Sequence, residues 1–562
     1  HRGYCTGAVM RDAAWWRPVT GWLSVAGALL CAPVTAMGRR PGGGPLNVLL
    51  VVLDDLRPEL AAYGHTHMST PAFDRLAAEG MRFDRAYTNY AYCAPSRNSF
   101  MVGRMPGTSK VFNFLDSFRD GSVRDRAGVA GTEWTTLPQF FKEHGYFAVG
   151  SGKVFHPGLP PDNDNPRSWS INVSDPGGNA GCTCPMSGVP GAPMYCELPE
   201  DTDCPDVVIA ATVAAQLREW KANNSTAPFF AAVGIHKPHL PWGAPASFFA
   251  AYPPPNELPL AAHKLAPAGM PDVAYHHCQW GPFPWSSGRG VPVADSIAAE
   301  ARRGYYAAIS FADSLVGTVL DTLDAIGETN RTVTLLTSDH GWQLGEHNEW
   351  CKETVFELSL HIPLIVRDPL ATAARGGSTR VFAENIDIYR TLAELAGLPE
   401  PEPGVDGVSL APVLRGGAAA ERAMLRAKPA AFGQHARCLR NATDGYKPID
   451  PWAAADSCTV TPRGELDWMG YSIRTDEWRY TAWVGWNGTT LQPVWAKVNA
   501  TELYPHAEVP GGPTDQDFDA WENHNVAAAP ANAAVVEKLH AQLVAHFSRF
   551  ALPFTAGPAA SR

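Results

Sequence analysis

The sequence lacks an excess of basic residues. Its 562 residues carry 45 Lys and Arg against 56 Asp and Glu, which gives a formal net charge of −11. A nucleic-acid-binding protein needs a basic surface, so this balance argues against nucleic acid as a partner. A local cluster of cations can still attract an anionic substrate, because nearby charges outweigh the distant field of the whole chain.

Beyond its N-terminus, the sequence also lacks an apolar run long enough to span a bilayer. The apolar segment VTGWLSVAGALLCAPVTA follows Arg11 and Arg17, and its Val34 and Ala36 fit the small-residue rule for signal cleavage. We therefore predict that residues 1–36 are an N-terminal extension and signal peptide, with no stable membrane insertion after cleavage. An N-terminal membrane anchor is the alternative interpretation.

Glycosylation sequons agree with export. Each Asn-x-Ser/Thr match is weak alone, but seven occur together with the signal segment; they begin at Asn172, Asn223, Asn224, Asn330, Asn441, Asn487 and Asn499. We predict a secretory route that ends in a lysosomal or vacuolar compartment or outside the cell. Sequons do not encode which of these destinations applies.

Cysteine is scarce and odd in number. Removal of Cys5 and Cys31 with the signal segment leaves nine of the eleven cysteines. Cys438 and Cys458 bracket one loop, and a Pro/Gly-rich loop holds four more, as disulfide staples do in an oxidising compartment: Cys182, Cys184, Cys196 and Cys204. The sequence does not determine the pairing. Cys93 is one candidate for the unpaired residue, and it is a structural thiol, half of a disulfide or a residue with a chemical role.

No internal repeat or long low-complexity tract is present, and the order of segments indicates an α/β fold. From about residue 45, short apolar runs alternate with helical stretches, which is typical of βαβ units and parallel sheets. We predict a large, mostly parallel central sheet sandwiched by helices in a catalytic domain over residues 45–420. The alternating aromatic pattern near residue 470 and an amphipathic C-terminal segment predict a smaller α+β domain, with an antiparallel sheet and a helix, over residues 421–562.

Polar residues stand where the predicted buried strands end. In open α/β sheets, ligands bind outside the carboxyl ends of the strands. Four strand ends therefore deliver one polar set to a common edge: Asp54, Asp55, Lys153, His156, His236, Asp339 and His340.

The acidic members of this set suit a metal ion. Adjacent carboxylates repel each other unless a cation lies between them. Asp54, Asp55 and Asp339 offer oxygen ligands for Ca²⁺ or Mg²⁺, and the nitrogen of His340 leaves room for a softer metal. Any one of these aspartates taken alone would usually be a helix cap or a turn residue.

The basic members suit a tetrahedral anion. Arg97, Lys153, His156 and Lys352 add positive charge, and His236 is a candidate acid for a departing oxygen. Taken singly, Arg97 and Lys352 also read as solvated surface charges, and His236 reads as a hydrogen-bonded loop histidine.

The stretch Cys-Ala-Pro-Ser-Arg at residues 93–97, with Gly103-Arg104 downstream, resembles the signature of the sulfatase family. These enzymes are the formylglycine-dependent members of the alkaline-phosphatase-like superfamily. Further segments resemble, in order, those of sulfatases that act on 2-O-sulfated iduronate: VVLDDLRPEL, GKVFHPG, AVGIHKPHLPW, SDHGWQLGEHNEWCK and MGYSIRTDEWRYTAWVGWN.

The resemblance implies a cofactor and a modification. Cys93 would be oxidised to formylglycine by the formylglycine-generating enzyme, and the hydrate would be the nucleophile that attacks sulfur. One Ca²⁺ ion would be held by the modified Cys93 together with the acidic set and its histidine: Asp54, Asp55, Asp339 and His340.

The resemblance also implies roles for the remaining residues. Arg97 and Lys153 would stabilise the hydrate, His156 and Lys352 would contact the sulfate, and His236 would protonate the departing alcohol. Trp342 joins the implied substrate-binding set, which otherwise comprises Lys153, His156, His236 and Lys352.

Two departures from the family pattern stand out. Val102 replaces the usual Thr before Gly103, which either reduces recognition by the modifying enzyme or has little effect. Cys351 precedes Lys352 where a small residue is usual, and it is either a buried thiol or a partner of Cys278.

The implied activity is removal of the 2-O-sulfate from a terminal uronic acid of a sulfated glycan. Within the superfamily, the alternatives are a sulfatase for another glycan and a phosphoester or phosphonate hydrolase. A glycan-binding pseudo-sulfatase without turnover is the alternative from another class.

Overall fold

The computed structural model describes residues 44–176, 182–184, 194–276, 291–439, 455–456, 458–507 and 517–550. The described residues from Pro45 onward form one compact unit. The predicted signal segment, the sequon at Asn441 and the candidate partner Cys278 lie outside the described residues. No described helix is both long and apolar enough to cross a membrane.

The strands range from two to 14 residues, and most are buried. In chain order they are β1 (Asn47–Leu53), β2 (Met81–Phe83), β3 (Ala86–Tyr87), β4 (Phe147–Gly152), β5 (Tyr195–Leu198), β6 (Phe229–Gly234), β7 (Trp242–Pro245), β8 (Thr332–Ser338), β9 (His361–Ile362), β10 (Leu364–Arg367), β11 (Gly377–Thr379), β12 (Ala383–Glu384), β13 (Ala431–Leu439), β14 (Ala455–Asp456), β15 (Trp468–Arg474), β16 (Trp478–Asn487) and β17 (Gln492–Pro505).

The α-helices range from single turns to a helix of 31 residues. In chain order they are α1 (Pro71–Glu79), α2 (Cys93–Val102), α3 (Pro106–Ser109), α4 (Leu137–Glu143), α5 (Pro205–Ala222), α6 (Ala246–Ala250), α7 (Asp295–Ala325), α8 (Glu357–Leu360), α9 (Asp387–Ala396), α10 (Ala411–Arg415), α11 (Gly417–Ala427) and α12 (Ala533–Ser548).

The main sheet has seven strands in the order β11-β2-β10-β8-β1-β6-β4. Strand β1 pairs in parallel with both β6 and β8, and β4 pairs in parallel with β6. Strand β10 runs antiparallel to β8 and to β2. The sheet is therefore mostly parallel, and the four neighbouring parallel strands β8, β1, β6 and β4 end at the same edge.

Helices cover both faces of this sheet. Alternate residues of β1 enter two different apolar cores: Leu49 and Val51 pack on one side, and Val48 and Leu50 on the other. The first core contains residues of α1, α5 and α7, and the second contains residues of α2, α4 and α9. Because every residue of β1 is buried, its continuous apolar run is explained. The predicted α/β sandwich is confirmed.

A second sheet follows in the C-terminal part. Its five strands are in the order β14-β13-β15-β16-β17, and those pairings are antiparallel. Helix α12 packs Leu539, Leu543 and Phe547 into the same core as Tyr471 and Tyr480 of this sheet. The predicted antiparallel sheet with one helix is confirmed, while the domain boundary near residue 420 stays a prediction.

The described cysteines other than Cys93 are in disulfides. The loop cysteines pair as Cys182–Cys204 and Cys184–Cys196, and Cys438 pairs with Cys458. Cys351 is also disulfide-bonded, so it is not a free thiol. The pairing that the sequence left open is thus resolved for three bridges, and Cys93 is the buried free cysteine of the described residues.

Candidate active site

The predicted polar set collects at the carboxyl edge of the parallel strands β1, β4, β6 and β8. Asp54 and Asp55 directly follow β1, Lys153 follows β4, and Asp339 and His340 follow β8. Because these strands are parallel, their ends place the side chains at one edge. Cys93, the first residue of α2, joins this group.

Backbone packing between β4 and β6 brings Lys153 close to the neighbouring strand end. The Lys153 N–H donates to the Gly234 carbonyl over 2.8 Å. A Cβ on Gly234 would lie only 2.2 Å from the carbonyl carbon of Lys153. Only glycine fits at this approach, which explains the glycine in the segment AVGIH.

Cys93 lies at the centre of the cluster. Its Sγ is 3.1 Å from Lys352 Nζ, 3.3 Å from His340 Nε2 and 3.5 Å from Asp54 Oδ1. As the first residue of α2, Cys93 also lies at the positive end of the helix dipole, which favours negative charge. Burial, with the Asp54 carboxylate, raises the pKa of the Cys93 thiol to about 11. The unmodified side chain is therefore a neutral thiol.

Three buried cations match three buried carboxylates around this thiol. Lys153 pairs with Asp54 Oδ2, and Lys352 Nζ lies 2.5 Å from Asp55 Oδ1. Arg97 Nε donates to Asp339 Oδ2 over 3.0 Å. Pairing of this kind is required, because an unpaired charge in the interior is very costly.

The two adjacent aspartates have opposite pKa shifts. Although burial opposes it, the charge of Lys153 holds the pKa of Asp54 well below its ordinary value. Burial raises the pKa of Asp55 well above the ordinary value despite Lys352, and the Asp54 carboxylate adds to the rise. Asp55 also has a left-handed backbone with φ of 66°, which is uncommon for a non-glycine residue. Two carboxylates in this arrangement repel each other unless a cation lies nearby.

The donor set fits a divalent cation. Asp54, Asp55, Cys93 and His340 each offer one ligand atom, and these atoms lie within 4.8 Å of one another. Oδ2 of Asp55 is buried and has no hydrogen-bond partner among the described residues. Burial lowers the pKa of His340, which favours the neutral imidazole that a metal requires. Asp339 lies beside this group, since its Oδ2 is 3.4 Å from His340 Nε2.

The signature segment also has a structural role in the folded chain. Arg97 is fully buried and donates to Asp339 and to the Lys153 and Val154 carbonyls. Gly103 ends α2 with a φ of +61°, a conformation that favours glycine. Arg104 is buried and pairs with Asp125 at 2.7 Å.

Val102, which departs from the family pattern, packs in the apolar core on the α2 side of the sheet. Its side chain is fully buried, so in the folded chain it contributes to packing.

Two further substrate-binding candidates, His156 and Trp342, contact different neighbours beside the cluster. The His156 ring lies 5.2 Å from that of Phe114, and burial together with Lys153 lowers its pKa well below the ordinary value. Trp342 is only 1% exposed, and Lys352 Nζ lies 5.5 Å from the centre of its ring. The Lys352 ammonium group therefore lies close to the buried indole of Trp342.

His236 follows β6 at the same edge, but its side chain is bonded elsewhere. Its Nε2 lies 3.0 Å from Asp175 Oδ1. His239, which sequence reasoning missed, is closer to the cluster, because its Nε2 lies 4.0 Å from Asp55 Oδ2. Its position in the segment GIHKPHLPW, three residues after His236, was the available signal. No sequence signal pointed to Asp175, which lies in a long loop.

Comparison with known proteins gives a consistent result. The sulfatase family model matches residues 46–398. Human iduronate 2-sulfatase is 33% identical over 532 residues, which cover 86% of this chain and 91% of the human protein. A sulfatase of Formosa agariphila is 28% identical over 375 residues, which cover 63% of this chain and 69% of that protein.

Solved structures agree at the level of the fold. The phosphonate monoester hydrolase of Agrobacterium radiobacter has a TM-score of 0.65 at 21% identity, covering 90% of this chain and 96% of that one. A 2-O GAG sulfatase has a TM-score of 0.62 at 18% identity, covering 92% and 96%. At these identities the likeness concerns architecture alone.

Proposed function

Because the chain belongs to the sulfatase family and is a sulfuric ester hydrolase, we propose that it removes the 2-O-sulfate of a terminal uronic acid in a sulfated glycosaminoglycan or polysaccharide. The observation that carries this proposal is the cluster around Cys93, in which three cations and three carboxylates lie at one sheet edge. The 33% identity to human iduronate 2-sulfatase over most of the chain supports the choice of sugar.

We further propose one Ca²⁺ ion at this cluster and oxidation of Cys93 to formylglycine by the formylglycine-generating enzyme. The ion would be held by Asp54, Asp55, Asp339, His340 and the modified Cys93. When present, the two groups would supply Lewis-acid polarisation of the sulfate and a hydrated aldehyde as nucleophile. A hard, oxygen-rich site favours Ca²⁺ over softer ions.

The protein side chains then bind and orient the sulfate ester. Lys153 and Lys352 lie beside Cys93 as fixed cations, so they would attract the sulfate oxygens and balance charge on a modified Cys93. Arg97 would act by holding Asp339 in place. His156 would contact the sulfate from the side of Phe114, and Trp342 would keep Lys352 in position. His236 would donate a proton to the departing alcohol.

We propose delivery through the secretory pathway to a lysosomal or vacuolar compartment or the exterior. The three described disulfide pairs suit an oxidising compartment. All described sequon asparagines are exposed at the surface, as glycosylation requires: Asn172, Asn223, Asn224, Asn330, Asn487 and Asn499.

A substrate panel tests the proposed activity. Mature protein from a eukaryotic secretory host is incubated with disaccharides that carry a 2-O-sulfated iduronate or glucuronate at the non-reducing end. Matched disaccharides sulfated only on glucosamine, and a phenyl phosphonate monoester, serve as comparison substrates. We expect sulfate release from the uronate 2-O-sulfates at a kcat/KM at least about 100-fold above that of the other substrates. This ratio corresponds to a difference of about 2.7 kcal/mol in activation free energy.

Each other outcome of this panel contradicts a different part of the proposal. Preference for a glucosamine sulfate would overturn the choice of sugar and keep the reaction. Faster turnover of the phosphonate ester would overturn the proposed sulfate substrate. Binding of the sulfated disaccharide without turnover would indicate a pseudoenzyme.

A further inference from the structure

Asp175 and His236 form a nearly buried pair beside the active-site cluster. His236 Nε2 lies 3.0 Å from Asp175 Oδ1, and the two side chains are only 7% and 8% exposed. Such burial excludes most of the water that would otherwise compete for the hydrogen bond, so the imidazole is held in one orientation.

Both members of the pair are anchored to neighbouring strand ends. The Ser174 carbonyl, one residue before Asp175, accepts from Gly152 N over 3.0 Å and from Ser151 Oγ over 3.2 Å. His236 lies two residues after the end of β6, which is paired with β4. The pair therefore lies beside the end of β4, where Lys153 enters the cluster.

A second carboxylate fixes the backbone of the histidine. The two carboxylate oxygens of Asp206 accept from the N–H groups of His236 and Lys237, over 2.8 Å and 3.1 Å. The main chain of His236 is thus positioned by Asp206, and its ring is positioned by Asp175. These two effects can be separated by mutation.

The hydrogen-bond chemistry assigns a role to each ring nitrogen. An ionised carboxylate only accepts, so Nε2 must carry the hydrogen that is shared with Asp175. Among the described residues, Nδ1 of His236 has no hydrogen-bond partner. Nδ1 is therefore the nitrogen that remains for a substrate.

We propose that Asp175 is a positioning residue, which holds the His236 imidazolium so that Nδ1 donates a proton to the sugar oxygen that leaves sulfur. This inference rests on the role of His236 in the proposed function. Asp175 is then the carboxylate that orients the acid, His236, which a poor leaving group such as a sugar alkoxide requires.

The proton transfer balances without any additional reagent. As a nucleophile forms its bond to sulfur, the S–O bond to the sugar breaks, and its electron pair goes to the sugar oxygen, which takes the proton from Nδ1. His236 becomes neutral and keeps the Nε2 hydrogen that is donated to Asp175. The Asp175 carboxylate keeps its charge throughout, as the orienting aspartate does in a catalytic triad.

A double-mutant cycle tests the inference on the sulfated uronate disaccharide. The variants are Asp175→Asn, His236→Ala and the double variant, each checked for an unchanged thermal midpoint. General acids contribute about 10²- to 10⁴-fold, so we expect Asp175→Asn to lower kcat/KM by about 10- to 100-fold. Because Asp175 acts through His236, the double variant should match His236→Ala within about 2-fold.

Leaving-group dependence gives the second measurement, with Asp206→Asn as the matched control. A nitrophenolate leaves without protonation, so Asp175→Asn should reduce the hydrolysis of 4-nitrophenyl sulfate by less than about 3-fold. Asp206→Asn changes an acceptor of the His236 and Lys237 N–H groups and leaves the Asp175–His236 hydrogen bond in place, so its effect on the sugar sulfate and on the aryl sulfate should be equal.

Three results would overturn the inference. One is an Asp175→Asn variant within about 2-fold of the parent on the sugar sulfate. Another is a loss that multiplies with that of His236→Ala, which would show that the two residues act independently. The third is an equal loss on sugar and aryl sulfates, which would show a merely structural role. A parent protein that hydrolyses no sulfate ester would instead overturn the proposed function on which the inference rests.

Discussion

At the scale of single residues, Cys93 has a chemical environment that packing alone does not explain. The side chain is 2% exposed, yet its closest partners are a lysine, a histidine and an aspartate. A small thiol among charged groups contributes little apolar burial, so its replacement should affect chemistry far more than stability.

Replacement of Cys93 by alanine is therefore expected to separate catalysis from folding. Loss of the proposed nucleophile should lower kcat by more than about 10³-fold. The thermal midpoint, followed by circular dichroism, should change by less than about 2 °C, because the missing Sγ leaves only a small cavity. Cys93→Ser serves as the isosteric control. A variant that misfolds would instead identify Cys93 as a structural residue.

Metal removal tests the acidic residues. We expect exhaustive dialysis against EGTA to abolish sulfate release and to lower the thermal midpoint, since a ligand present at 100 times its Kd stabilises a protein by about 2.7 kcal/mol. Added Ca²⁺ should restore both properties, and Asp55→Asn should make the midpoint insensitive to EGTA. Full activity of protein shown to be metal-free by elemental analysis would contradict the metal site.

Part of the cluster was predictable because its residues directly follow apolar strands. Asp54, Lys153 and Asp339 needed only the strand pattern and the rule for strand ends. The partner of His236 was not predictable in the same way. Asp175 meets His236 from a loop 61 residues away in sequence, and no local pattern encodes that distance.

At the scale of elements, the contact between α1 and α7 depends on one buried carboxyl group. Asp313 of α7 accepts from the N–H groups of Ala72 and Phe73, over 3.1 Å and 2.7 Å, in the first turn of α1. Burial raises the pKa of Asp313 to about 7, although the two N–H donors oppose the rise. The protonated carboxyl is therefore favoured more in the folded chain than in the unfolded chain.

This shift has a definite sign for stability. An unfolded aspartate has a pKa of about 3.9, so the contribution of Asp313 is fully present below about pH 4 and is lost as the pH rises through about 7. Asp313→Asn has no charge to bury. We therefore expect the free energy of unfolding of this variant, relative to that of the parent, to rise by about 1 to 3 kcal/mol from pH 5 to pH 8.

Urea unfolding at the two pH values measures this difference. Asp321→Asn on the same helix is the matched control, because the Asp321 side chain is 70% exposed. A difference between Asp313→Asn and the parent that does not change with pH would contradict the assignment.

At the scale of the whole molecule, a buried ion-pair network joins the main sheet region to the second sheet. Glu357 of α8 accepts from Arg474 Nε of β15 over 3.0 Å and also pairs with Arg479 of β16. Glu522 pairs with Arg479 and accepts from the Glu357 N–H over 2.7 Å. Glu357, Glu522 and His506 lie close enough to hold a metal, but these arginines already neutralise the carboxylates.

Neutralisation of Glu357 should therefore destabilise the whole compact unit. Glu357→Gln leaves two buried guanidinium groups without their shared carboxylate, which typically costs about 3–5 kcal/mol. We expect a lower thermal midpoint, with Glu465→Gln at an exposed position as the control. An unchanged midpoint for Glu357→Gln would show that the network contributes little to stability.

Much of the architecture could be predicted from the apolar pattern of the sequence. The strands that could not be predicted have a physical feature in common. The buried runs of β1, β4, β6 and β8 and the long helix α7 were evident from sequence. The antiparallel insertion of β10 and the edge pairing of β2 with β11 were not, because such short strands carry too few residues to show a pattern. The disulfide pairing also required the folded loop.

The central claim is that Cys93 is the precursor of the catalytic group. Its most direct test is mass spectrometry of the peptide that carries Cys93, taken from protein made in its native host. The account predicts a peptide in which the thiol sulfur has been replaced by an aldehyde oxygen, present as the aldehyde or its hydrate. An unmodified thiol throughout the sample would contradict the claim.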